Sequence, residues 1–242
     1  NRDVETFPVL KAMMERILGA SPYQSPTDMG VNMAGLAICD DEAVCDAARM
    51  EIVRRYFNAC VNAKRTGCGA NQVSKLKMLM KQAGVTPDLS PIRAAALAKE
   101  EATGKPAGAL MLPNGEVISG RTSTRLGAAS SLLLNALKYL AGIPEETYII
   151  SNEAIDPICH LKTELLHSKN PRLHPDEMLI ALSLSSATEP LAARAIEAAE
   201  QLRGCDAFFS VIISSADEKL YRTLGINVSC EAKYERSSYY HK

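Results

Sequence analysis

Residues 178–230 read MLIALSLSSATEPLAARAIEAAEQLRGCDAFFSVIISSADEKLYRTLGINVSC, and the texture of this stretch decides the fold class. The run 178–184 is continuously apolar, the pattern of a strand buried on both faces. Residues 189–203, led by Pro190, have amphipathic helical spacing. A second apolar run, 207–213, predicts another buried strand. Residues 216–224 predict a helix stopped by Gly225, and 226–230 a third strand. This β-α-β-α-β alternation predicts a parallel sheet with right-handed crossovers.

Working outward, 151–175 reads as irregular because Pro157, Pro171 and Pro175 interrupt it. Residues 147–150 predict a strand. Residues 126–140 predict a helix that buries Leu132, Leu133, Ala136, Leu137 and Leu140. Ahead of it, strands at 107–112 and 116–120 flank Pro113-Asn114-Gly115, a hairpin signal. The texture changes at Thr103-Gly104-Lys105-Pro106, which places a boundary between a helical subdomain, 1–103, and an α/β subdomain, 104–242.

The first part carries four helical patterns. Residues 7–18 place Val9, Leu10, Met13, Met14, Ile17 and Leu18 on one stripe. Residues 42–64 repeat Val44, Ala48, Ile52, Tyr56 and Cys60 every fourth position. A third helix around 73–80 ends at Gly84. A fourth, 92–102, starts with proline in its permitted first turn after Ser90. The expected class is mixed α+β and α/β: a helical subdomain, then an α/β/α subdomain with a mainly parallel sheet.

Composition bounds the function. The chain has 242 residues, is 47% hydrophobic and 23% charged, lacks Trp and carries a net charge of −1. That is a globular composition without the basic footprint of a nucleic-acid binder. No apolar run approaches a membrane span. Seven cysteines, an odd number with no CxxC spacing, predict reduced thiols and a cytoplasmic setting. The start at Asn1, with no Met, reads as a fragment of a longer protein or a processed product. A homo-oligomer is compatible with all of this.

Candidate ligand residues fall in three places. Residues 21–42, SPYQSPTDMGVNMAGLAICDDE, crowd turn formers and glycines between two helical patterns. Ser25, Thr27, Asp28, Gly30 and Asn32 there would receive an anion on a helix N-terminus, while the same residue types also suit a plain capped loop. Arg54 and Arg55 offer guanidinium forks suited to phosphate or carboxylate. Asn170, Arg172 and His174 set an amide, a guanidinium and an imidazole in one proline-bent loop, with His174 as the proton carrier.

Other constellations are bland. Asp40, Asp41 and Glu42 suit a helix dipole better than Mg²⁺. His160, His167 and His174 with Cys159 have prolines among them and no HExxH, so no metal site is expected. There is no GxxxxGK[ST], no GxGxxG after a predicted strand and no GxSxG.

Several strings carry a resemblance: NRDVETFPVL at 1–10, SPYQSPTDMGVNMAG at 21–35, EIVRRY at 51–56, KNPRLH at 169–174 and LGINV at 224–228. Nearly end to end, the chain resembles the bacterial family catalogued as domain of unknown function 1846. The resemblance implies the C-terminal half of a protein about twice as long, whose absent N-terminal half is P-loop-like. It therefore implies a phosphate- or nucleotide-ligand site, with no cofactor held by this fragment alone and a nucleotide belonging to the full-length protein. The alternative is a structural, assembly or regulatory module without catalysis. More weakly, GALMLPNGEVISG with the helix after it resembles the opening of cytidine-deaminase-like domains. The zinc ligands and the Glu of those enzymes are missing where Gly127-Ala128-Ala129-Ser130-Ser131 stands, so zinc deamination is not implied.

Overall fold

A computed structural model describes residues 2–20 and 41–235. The chain forms two compact units, Asn1–Ser90 and Pro91–Lys242. In the first unit, helices α1 (Arg2–Leu18), α2 (Asp41–Thr66) and α3 (Ala70–Ala83) form as the spacing predicts. α3 stops at Gly84, whose left-handed φ of 66° lets its N–H turn back to the Lys81 carbonyl. Val53, Phe57 and Val61 of α2 and Leu76 and Met80 of α3 are buried. The apolar stripe of α1 behaves differently: Val9, Leu10, Met13, Ile17 and Leu18 are exposed. Amphipathic spacing is enough to shape a helix, but it does not specify what covers the stripe.

The second unit begins with α4 (Pro91–Thr103), which packs on the sheet, so the division by contacts falls one helix ahead of the expected 103/104 boundary. The hairpin β1 (Ala107–Met111) and β2 (Val117–Arg121) follows, then α5 (Ala128–Leu140), α6 (Asn152–His160), α7 (Pro175–Ser185), α8 (Pro190–Glu197), β3 (Asp206–Phe209), α9 (Ser215–Thr223) and β4 (Asn227–Cys230). The sheet order is β2-β1-β3-β4. β1 runs antiparallel to both β2 and β3, and only β3 and β4 are parallel. The sheet is therefore mixed, not mainly parallel, and the cytidine-deaminase likeness gains no support from it. The β3-α9-β4 crossover does form as the alternation predicts.

α5 is the central helix, with Leu132, Leu133, Ala136 and Leu137 fully buried. It lies so close to β2 that a Cβ on Gly120 would stand 2.4 Å from the Leu132 amide nitrogen. Only glycine permits that approach.

Three local expectations are corrected. The run 178–184 is not a strand but most of α7, where Met178, Ala181, Leu182 and Ser185 are buried while Ile180 and Leu184 are exposed. That is helical periodicity hidden in a uniformly apolar run. Its start is written in the residues before it: His174 is the N-cap, Pro175 sits in the first turn and the Glu177 carboxylate accepts the His174 N–H at 2.7 Å. Residues 147–150 form no strand, because Thr147 closes a turn onto the Pro144 carbonyl. Residues 151–175 are not irregular throughout: Ser151 caps α6, which accommodates Pro157 and runs into a π-helical turn, Leu161–Leu165.

Candidate functional site

The antiparallel registers bring the start of β1 beside the ends of β2 and β3, with Ala107 opposite Arg121 and Gly108 opposite Phe209. The loops leaving that end enter α5 and α9. The segment ahead of α7 is tied to them by backbone. Leu126 and Leu173 form a parallel bridge, the Leu173 N–H donates to the Arg125 carbonyl at 2.8 Å, and the Ser130 hydroxyl donates to the Leu173 carbonyl at 2.6 Å. From α9, the Tyr221 hydroxyl donates to the Ala129 carbonyl at 2.7 Å. The N-termini of α5, α7 and α9 thus meet at the carboxyl ends of β2, β3 and β4, beside the amino end of β1; ligands of α/β sheets usually bind at carboxyl strand ends.

Polar side chains collect there. His174 Nδ1 lies 2.9 Å from Asp217 Oδ1, with the His174 side chain 28% and the Asp217 side chain 10% exposed. Asp217 sits in the first turn of α9, where its N–H donates to the Ser214 hydroxyl. The hydrogen bond to Asp217 raises the His174 pKa above its ordinary 6.5, against the opposite pull of burial. Buried Asn170 turns its side-chain oxygen onto the Arg172 N–H at 3.1 Å, and Arg172 pairs with Glu235 at 3.0 Å. Lys162, 6% exposed, donates to the Arg172 carbonyl at 2.6 Å and to Glu177 Oε2 at 2.7 Å. Cys159 meets the Pro171 carbonyl at 3.4 Å, and burial raises its thiol pKa. Among the described residues, no group of three or more His, Cys, Asp or Glu could hold a metal ion.

Of the residues singled out from sequence, Asn170, Arg172 and His174 lie together in this cluster. Arg54 and Arg55, in the first unit, both grip Glu51, with nitrogen–oxygen distances of 2.6 Å to its carboxylate. Burial pushes the Glu51 carboxyl up and the two arginines outweigh it, so its pKa lies below the usual range. Ser25, Thr27, Asp28, Gly30 and Asn32 lie outside the described residues. Sequence reading missed Lys162, Glu177, Asp217 and Glu235. Glu177 had a signal, as the third residue after an N-cap; Asp217, forty-three positions from His174, had none.

The fold and site define a mixed α/β protein with a partly buried, charge-paired cluster at the carboxyl ends of β2, β3 and β4. Comparison with known proteins gives the family. The model of the C-terminal domain of unknown function DUF1846 matches residues 88–240, and that of the N-terminal DUF1846 domain matches 1–84; the chain belongs to this family. The N-terminal match corrects the expectation that only the C-terminal part is present. The two matches meet close to the Ser90/Pro91 division. Over all 242 residues the chain is 50% identical to UPF0371 protein CE2832 of Corynebacterium efficiens, 48% to UPF0371 protein DIP2346 of Corynebacterium diphtheriae and 46% to a UPF0371 protein of Streptococcus thermophilus. It covers 49% of each, so the chain spans about half the length of the curated relatives it matches.

Proposed function

We propose that the second unit carries a proton-transfer and anion-recognition site centred on His174 and Asp217, acting on a small phosphorylated or nucleotide-like ligand. The observation that carries this reading is the 2.9 Å contact between the imidazole and the carboxylate, made between the N-cap of α7 and the first turn of α9. A carboxylate on Nδ1 fixes the tautomer and orientation of an imidazole, as in general acid–base catalysts. The raised pKa of His174 keeps the imidazolium present at higher pH, which suits proton donation and attraction of an anion. Helix N-termini add partial positive charge.

The test is protection of His174 from diethyl pyrocarbonate, read by mass spectrometry on the full-length protein, with inorganic phosphate and AMP as probes. The reading expects slower His174 modification with a probe present while His160 reacts unchanged. Equal rates at millimolar probe set it aside. One observation favours a structural role instead: Lys162, Arg172 and His174 each face their own carboxylate, Glu177, Glu235 and Asp217. Such pairing cross-links a loop without any ligand. Under that role His174→Gln lowers stability and probe protection is never seen.

A further inference from the structure

We infer that Lys162 is the positioning residue of the His174–Asp217 pair, locking the backbone on both sides of His174. α6 passes without a break into the π-helical turn Leu161–Leu165, closed by the Leu166 N–H on the Leu161 carbonyl at 2.9 Å. The chain then reverses through His167, a non-glycine residue at φ 52°, and the Ser168 N–H returns to the Lys162 carbonyl at 2.8 Å. A π turn inserts one residue per turn and so re-aims a side chain, a device that recurs at functional sites. Lys162 lies in this turn, and its side chain is buried.

That ammonium holds two anchors. One is the Arg172 carbonyl, two residues before His174. The other is Glu177 Oε2, which also accepts the backbone N–H of His174 itself at 2.7 Å. A buried ammonium is costly unless hydrogen-bonded, so these are fixed partners rather than a loose surface pair. Through them Lys162 sets the backbone from which the imidazole reaches Asp217.

Among the described residues, the charged groups that act on the imidazole include Asp217 from α9, Glu177 from α7 and Lys162 from the π turn. Lys162 therefore acts on His174 in two opposed ways. Its charge disfavours the imidazolium. Its hold on the loop, by presenting His174 to Asp217, favours it. The sign of the change on removing Lys162 separates the two.

The inference rests on the pair proposed above being the working one, but its test needs no ligand, so the two fail separately. The midpoint of His174 is followed by NMR titration of the full-length protein, assigned with His174→Gln. In Lys162→Met, positioning predicts that the midpoint falls toward the free-imidazole value. An unchanged or raised midpoint overturns the inference. Glu177→Asp keeps the charge but shortens the reach to Lys162 and to the His174 N–H, and decides the question if Lys162→Met does not fold. A fall supports positioning, and a midpoint equal to that of the wild type overturns it.

Discussion

Asp217 governs the charge of His174, and the consequence for stability has a definite sign. The folded pKa of His174 is raised above 6.5 by the bond to Asp217. Stability from this pair is fully present below the unfolded value, about 6.5, and is lost as pH rises through the folded value. Urea unfolding across that window is expected to show wild type losing this increment and Asp217→Asn lacking it. Identical pH slopes for the two proteins would remove the link. Tyr221 gives a second test. Fully buried, it packs edge-on against Phe209 and bonds the Ala129 carbonyl. Tyr221→Phe removes that hydrogen bond, and is expected to cost about 1 kcal/mol in denaturant unfolding. His174, Arg172 and Asn170 were legible as candidates because three functional groups crowd one short loop. Asp217 and Lys162 were not, because a lone acid or lysine on a helix looks the same in sequence whether it faces water or a partner.

At the scale of elements, α7 shows where pattern reading reaches its limit. A strand buried on both faces would use Ile180 and Leu184 as fully as Met178 and Leu182. The helix buries only the second pair. Leu182→Ala is therefore expected to cost about 2–5 kcal/mol, and Leu184→Ala within about 0.5 kcal/mol of nothing, both read from denaturant midpoints. Equal costs would argue for the strand. The α5–β2 contact gives another expectation. Gly120→Ala forces its Cβ into the Leu132 backbone, which cannot yield as a side-chain tip can. It is expected to lower stability by about 1–3 kcal/mol, whereas Gly104→Ala, at an open position with φ 65°, strains only its own backbone. A Tm loss no larger for Gly120→Ala than for Gly104→Ala would contradict the close packing.

At the scale of the molecule, α4 decides where the second unit begins. Its Ile92 and Ala96 are buried, and the helix packs on β1, β2 and β3. A chain of residues 91–242 is expected to unfold cooperatively, with a sharp thermal transition by circular dichroism. One of residues 104–242 exposes the sheet face that α4 covers, and is expected to melt broadly or aggregate. The reverse result would favour the boundary at 103/104.

What the sequence by itself determined is local. Helices α1 to α5 and α9, the Pro113-Asn114-Gly115 hairpin and the parallel β3–β4 step follow from spacing, caps and turn residues, whose physics acts within a few positions. The resemblance to DUF1846 also lay in contiguous strings. Only the tertiary structure decided that 178–184 is a helix, that β1 enters the sheet antiparallel to β3, and that Lys162, Glu177 and Asp217 meet the His174 loop. A uniformly apolar run fits either period, and burial selects between them. Strand direction and long-range ion pairs depend on which elements the core brings together, and no single segment carries that information.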